Sequence, residues 1–513
     1  MHIAGTTCVW QEKAAAAASA AMGAAGAGSG GNWRVAAMAI LAAAGGALNC
    51  AISFIVFSFL DVLDMVLCVV YKLIDYAVEA EWKPCYCSSA ARDGAGGAAV
   101  FVAPATAAAA GPKVVRLSPS MEKMQLEDVS DTLYVRPSVM ADATKKSGPA
   151  APSLTVSPAI AELIRGKIDR AAPPRRPPPR HAPCWSDCDC KLCHSWSSGA
   201  ATSRSSHLYV HVQSPTTPSG VETEDVVFIH GFISSSVFWT ETIFPVFSTA
   251  ARGRYRMFAV DLLGFGRSPK PADSLYTMRE HVEMIERSVL QRYRLRKFHV
   301  VAHSLGSVLA LALAVKYPDA VKSLTLLAPP YFPVPKEEAG AATQYVMRRV
   351  APRRVWPPIA FGASMACWYE HVSRTICLTI CRHHRTWDRL FRLFTRNRMR
   401  TFLIEAFMCH THNAAWHTLH NIICGSAGKM DSYLDVVSGE LGCEVAVFHG
   451  RDDELLPVEC TLAVGARVPR ARVTVYDRKD HITIIVGQEK LFAAELEAIW
   501  RRSNTAGADA GGE

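Results

Sequence analysis

Between Val35 and Leu60 the sequence has no charged residue. A gap in charge of that length is enough for a helix to cross the ~30 Å hydrocarbon layer of a bilayer. It also exceeds the ~7–15 apolar residues of a cleavable signal sequence, which favours a retained anchor over a removed leader. The chain also lacks any Asn-x-Ser/Thr sequon, which neither excludes secretion nor argues strongly for it. No nucleic-acid-binding motif accompanies the formal net charge of +9, and the basic residues are scattered. Nucleic acid is therefore set aside as a partner, and an anionic lipid surface fits the charge better. Sixteen cysteines permit disulfides, but their number decides little in a chain of 513 residues.

The length divides into one sizeable catalytic domain and extra segments. Residues 1–34 form an Ala/Gly/Ser-rich N-terminus of low complexity, and residues 35–83 a hydrophobic membrane-targeting segment. Trp33 and Arg34 precede the apolar run as interfacial anchors, while Asp61, Asp64, Lys72 and Asp75 interrupt the pattern beyond Leu60. That second half reads as an amphipathic helix at a membrane surface. Lys13 and Arg34 before the span and acids after it place the N-terminus in the cytoplasm and the rest in the lumen or outside. A hydrophobic hairpin buried on the globular domain is the alternative, since Gly45, Gly46 and Asn49 weaken the span.

Residues 84–205 read as a largely disordered linker with an extended Pro/Arg stretch from Pro173 to Pro183. Cys184, Cys188, Cys190 and Cys193 cluster within it, at a spacing open to disulfides, free thiols or zinc. CKLCH at 190–194 also matches a c-type haem attachment pattern, but nothing else resembles a cytochrome.

Residues 206–503 alternate β-branched runs with helical patterns, the signature of an α/β fold with a mostly parallel sheet flanked by helices. Seven strands are predicted, beginning near 207, 226, 256, 298, 321, 444 and 472. Residues 331–440 are helical and interrupt the alternation, as an inserted lid does. They carry fourteen Lys/Arg against eight Asp/Glu, together with Trp356, Trp368, Trp387 and Trp416. A membrane-facing or acyl-binding cap and a plain charged surface explain that composition equally well. Residues 504–513 are a disordered tail.

The chemistry centres on FHVVAHSLGSVLALALAV, a strand, a sharp turn and a helix with Ser304 at the turn. A serine hydroxyl needs a base to take its proton and donors to hold the oxyanion, and this nucleophile elbow presents the hydroxyl to both. Gly306 fits the GxSxG pattern, while Ala302 replaces its first glycine. The Leu305 N–H and the Phe232 N–H, in FIHGFISSS after an earlier strand, are the candidate oxyanion donors. In the chain order of this fold the acid and then the histidine follow the serine. Asp453 in HGRDDELLP is the candidate acid, with Asp452 as fallback, and His481 in RKDHITII the candidate base. Asp480 is a possible local charge partner of His481, and His303 adjoins Ser304 but points away on a turn. DLLGFGRS at 261–268 reads as loop packing, with Asp261, Gly264, Gly266 and Ser268 structural. His410, His412, His417 and His420 read as packing or substrate contact rather than a metal site, and HHRTWD at 383–388 matches an acyltransferase pattern too short to be specific. No cofactor and no metal is expected.

With these residues in view, the chain resembles the plant BODYGUARD group of α/β-hydrolases. The resemblance rests on FSFLDVLDMVLCVVYKLIDY, WSDCDCKLC, FIHGFISSSVFWTETIFP, AHSLGS, HTHNAAWHTLHNIICG and HGRDDELLPV. It implies a lysophospholipase-like serine esterase acting on acyl lipids or cutin precursors, with Ser304, Asp453 and His481 at the triad positions. It also implies a role in cuticle formation and a location at the plasma membrane and cell wall of epidermal cells. An acyltransferase that builds polyester would use the same triad, and a non-catalytic lipid or hormone binder would use only the pocket.

Overall fold

The computed structural model describes residues 32–79, 99–102, 113–116, 130, 132, 207–216, 223–271, 274–382, a few positions between 386 and 393, and 410–509. The cysteine cluster, the Pro/Arg stretch and most of HHRTWD lie outside the described residues.

All seven runs read as strands form one sheet: β1 Val210–Gln213, β2 Glu224–Ile229, β3 Tyr255–Val260, β4 Phe298–His303, β5 Val321–Leu327, β6 Glu444–Gly450 and β7 Arg472–Tyr476. Their order is β1-β3-β2-β4-β5-β6-β7. Only β1 runs antiparallel, on β3, and every other pairing is parallel. Parallel strands buried on both faces read as near-continuous apolar runs, and β4 is buried at every position, its two histidines included. Alternate residues then supply two cores. Val227, Ile229, Val300, Ala302, Leu324 and Val447 face one layer, which contains α2 Met278–Ile285, α3 Leu305–Lys316, α8 Met430–Gly439 and α9 Glu459–Arg467. Val226, Phe228, Val301 and Phe448 face the other, filled by Phe492, Leu496 and Trp500 of α10 Glu489–Asp509.

The lid enters where expected, between the neighbouring strands β5 and β6, so both its ends start from adjacent sites on the sheet. Its described helices are α4 Ala342–Val350, α5 Pro358–Trp368, α6 Glu370–Arg382 and α7 His412–Thr418, leading into α8. Val346, Met347, Val350, Leu419 and Ile422 join the same core as α3, which fixes the lid to the sheet domain by apolar burial. His410 forms an isolated bridge with Phe265, tying lid to loop a second time.

Residues 32–79 form one continuous helix, α1, rather than a hairpin. Its stretch Ile40–Tyr71 is long and apolar enough to cross a membrane. Two acidic residues of its second half, Asp61 and Asp64, bond to the lid. Asp61 accepts hydrogen bonds from Arg353 and Tyr369, and Asp64 from the backbone N–H groups of His371 and Val372. Asp64 thereby caps α6 from another element, satisfying donors that the first turn of a helix leaves open.

Two residues of the stretch read as linker also reach the lid. Ser130 N–H donates to Asn421 Oδ1 at 2.8 Å, and Thr132 Oγ1 lies 2.7 Å from His420 Nδ1, all four residues being buried.

At the opposite end of the sheet from the lid, Glu224 starts β2 and receives Arg254, Lys322 and His299, the last at 3.1 Å. Burial alone would raise this carboxyl, but those hydrogen bonds outweigh it and bring it down to about 2. A depressed carboxylate stabilises the fold above its unfolded value, and that stabilisation is lost as pH falls from 4.5 towards 2. Glu224→Gln leaves the cations facing an amide, so an expected loss of ~3 kcal/mol at neutral pH should appear in urea titrations. The same titrations at falling pH should show a flatter acid dependence than wild type.

Candidate active site

Every predicted site residue follows the carboxyl end of a parallel strand: Phe232 after β2, Ser304 at the turn after β4 with Leu305 opening α3, Asp453 after β6 and His481 after β7. The sheet alone therefore gathers groups separated by up to 249 positions, 481 less 232.

Ser304 holds φ 52° and ψ −124°, a conformation L-residues rarely adopt. The turn survives because the surrounding structure determines it. The Ser304 N–H donates to Leu327 O at 2.7 Å, and α3 begins at the next residue. A Cβ at Gly306 would stand 2.6 Å from His230 O and 2.7 Å from Ile229 O, so strand β2 and helix α3 approach as closely as only glycine permits. Ala302, by contrast, lies inside β4 in register with Ile229 and Leu326 and is fully buried. Its methyl group packs in the core, and the missing glycine of the pattern places no demand on the turn.

Of the two adjacent acids, Asp453 is the one aimed at histidine: its Oδ2 lies 2.7 Å from His481 Nδ1. Its Oδ1 accepts the Leu455 and Leu456 N–H groups at 2.9 and 2.8 Å. Burial would raise the Asp453 carboxyl, but the His481 hydrogen bond and charge, with the Leu456 N–H, hold it below the usual carboxylate value. Asp452 is exposed, its N–H given to Lys479 O. Asp480 accepts from the Ile482 and Thr483 N–H groups and shapes its own turn.

Two histidines that the sequence did not assign complete the arrangement. His449, the penultimate residue of β6, is fully buried under Asp453, 3.5 Å from Oδ2, and donates through Nε2 to Leu456 O. His303 donates through Nε2 to the backbone carbonyl of His481 at 3.0 Å and stacks on Phe238. Burial, with the neighbouring His481, pushes the His303 imidazole down to about 3, so it is neutral and positions the His481 loop. The sequence signal for both is a histidine at or next to the carboxyl end of a strand that precedes a site loop.

On the oxyanion side, Gly231 passes directly over the serine: a Cβ there would lie 3.1 Å from Ser304 Cβ. That brings Phe232 beside the nucleophile, its ring edge-on to Phe265. Leu305 is the first residue of α3, where a helix leaves its N–H groups without intrahelical acceptors. Buried His230 fixes this loop by donating from Nδ1 to Gly231 O and accepting the Leu262 N–H at Nε2. Asp261 braces it further, accepting the Ser236 and Arg267 N–H groups.

The lid histidines do not converge. His410 stacks on Phe265, His417 on Tyr276, and His420 meets Thr132. Among the described residues no group of three His, Cys, Asp or Glu side chains could hold a metal. A cavity of about 510 Å³ opens beside β1, lined by Tyr209, His211, Arg252 and Arg267 among others, and none of the five site residues lines it.

Comparison with known proteins agrees with the fold. A family model described as the alpha/beta hydrolase fold matches residues 226–488. The chain is 52% identical over 502 residues to "Probable lysophospholipase BODYGUARD 3" of Arabidopsis thaliana, covering 90% of this chain and 97% of the relative. It is 52% identical over 484 residues to "Probable lysophospholipase BODYGUARD 1" of the same plant, with the same coverage. The solved structure of MenH from S. aureus aligns with 58% of this chain and 99% of its own, at 13% identity and a TM-score of 0.41.

Gly306→Ala tests the close approach at the elbow. Two backbone oxygens would have to move, so thermal unfolding should show a loss of at least ~2 kcal/mol.

Proposed function

The chain belongs to the BODYGUARD group of α/β-hydrolases, and from that membership we propose that it is a lysophospholipase-like serine esterase acting on acyl lipids in the formation of the plant cuticle. The observation that carries the reading is the 2.7 Å contact of Asp453 with His481 at the sheet end where Ser304 is held in its strained turn.

In this mechanism Ser304 Oγ attacks the ester carbonyl while His481 Nε2 takes its proton. Asp453 fixes the tautomer by holding Nδ1–H, and stabilises the imidazolium that forms. The Phe232 and Leu305 N–H groups receive the oxyanion. Collapse of the tetrahedral intermediate expels the alcohol, protonated by His481, and leaves an acyl-serine. Water, deprotonated by the same imidazole, then releases the fatty acid and restores the serine. The low carboxylate value of Asp453 supports this role, since the acid must stay ionised throughout.

Two features support an acyl-lipid substrate: the naming of the relatives as probable lysophospholipases, and an apolar helix joined directly to the lid. With them goes a location at a membrane of the secretory pathway, the hydrolase domain lumenal or extracellular, at the plasma membrane and cell wall of epidermal cells.

A fluorophosphonate probe should label the wild-type protein and leave Ser304→Ala unlabelled. Asp453→Asn should lower kcat on a lysophospholipid about 10³- to 10⁴-fold, while Asp452→Asn stays within a few-fold of wild type. Folded protein with no serine-dependent labelling would sink the esterase in favour of a lipid binder. Acyl glycerol formed on adding glycerol would reveal transfer instead of hydrolysis.

A further inference from the structure

Helix α1 has two unlike sides. Ser53, Phe57, Leu60, Asp64, Cys68 and Tyr71 recur at intervals of three and four, the period of one helix face, and this face is covered by the lid. The contact joins an apolar core, in which Phe57 and Leu60 meet Tyr369 and Val372, to a set of polar bonds. Ser53 Oγ accepts the Val355 N–H at 3.1 Å, Asp61 pairs with Arg353 at 2.8 Å, Asp64 caps α6, and Tyr71 bonds Thr375 at 2.9 Å. Phe57 packs between Phe361 and Tyr369. The other side is apolar and open to solvent: Phe54 and Phe59 are each 63% exposed, and Ile55, Val62, Val66 and Val69 continue the strip.

The docked stretch from Ser53 to Tyr71 is about 27 Å long at 1.5 Å per residue, nearly the thickness of the hydrocarbon layer. Were α1 to stand across a bilayer, the lid residues lying along it would enter hydrocarbon with it. Those include Arg353, Glu370 and Arg374, the last placed over the Tyr71 ring at 4.4 Å. Charges at that depth are strongly disfavoured. A helix lying in the plane of one leaflet meets no such cost: its apolar strip enters the acyl region and its docked face stays with the protein. Trp356 on the lid, 68% exposed and with its carbonyl 3.4 Å from Asn49 Nδ2, adds an exposed residue of the kind that anchors to interfaces beside α1.

We propose that α1 inserts flat into one leaflet of a lipid bilayer through the Phe54–Val69 strip, as a permanent part of the lid, and does not span the membrane. The N-terminus then lies on the same side of the membrane as the hydrolase domain, opposite to what the flanking charges alone suggest. The inference refines the membrane association in the proposed function and rests on it.

The test uses the full chain with an N-terminal epitope tag in sealed microsomes. Under external protease, tag and hydrolase domain should share one fate, both protected or both digested. Protection of one with loss of the other overturns the flat arrangement while leaving membrane anchoring intact. In flotation with phosphatidylcholine vesicles, Phe54→Lys/Phe59→Lys should reduce bound protein at least ten-fold, and Phe54→Leu/Phe59→Leu should not. Fluorophosphonate labelling of Ser304 should persist in both variants, showing that they fold. Wild-type protein that labels but never floats removes the membrane and leaves the esterase. A soluble dimer that the Lys variant converts to monomers would identify the occupant as a second copy and overturn the proposal.

Discussion

The close passage of the β2 end over the start of α3 is the constraint on which the site depends. It forces glycine at 306 and puts Ser304 into a backbone conformation that costs on the order of 1–3 kcal/mol. What resists relaxation is the sheet itself. The Leu327 carbonyl holds the Ser304 N–H, and β4 is fully buried between two neighbours. The sheet's burial thus maintains a turn that no isolated peptide would keep. Because the strained backbone precedes α3 directly, the serine, the Leu305 N–H and the Phe232 loop are held by one set of contacts.

The acid and base are held by a different principle, a lower layer of neutral histidines. His449 stands under Asp453, and His303 under the carbonyl of His481. Desolvation keeps both imidazoles below their ordinary values, so each presents a fixed donor rather than a variable charge. An additional buried cation here would compete with His481 for the Asp453 carboxylate. Neutral donors orient the pair without that competition.

The sheet was readable from sequence because its strands are short runs rich in β-branched and other apolar residues that alternate with helical patterns, and the elbow because strand, Ser304 and helix are contiguous. Asp453 was preferred to Asp452 because it stands three residues after Gly450 and four before Pro457, the spacing at which related hydrolases carry their acid. Long-range partners were not readable. Asp61 and Asp64 look alike in sequence whether they meet headgroups or a protein, and their partners lie about three hundred positions away. His303 and His449 read as strand residues because what they support arrives from later loops. The lid histidines looked like a cluster by number, but their rings point to separate neighbours.

The small contact of Ser130 and Thr132 with Asn421 and His420 has a consequence for how the chain assembles. Without it, the chain between α1 and β1 would be anchored only at its ends. Holding Ser130 and Thr132 at the lid divides that connection into two shorter ones, and closure entropy depends on the length of each. The effective concentration of α1 at the lid rises accordingly. A pair of hydrogen bonds remote from the nucleophile thereby helps set how often the helix and the lid are found together.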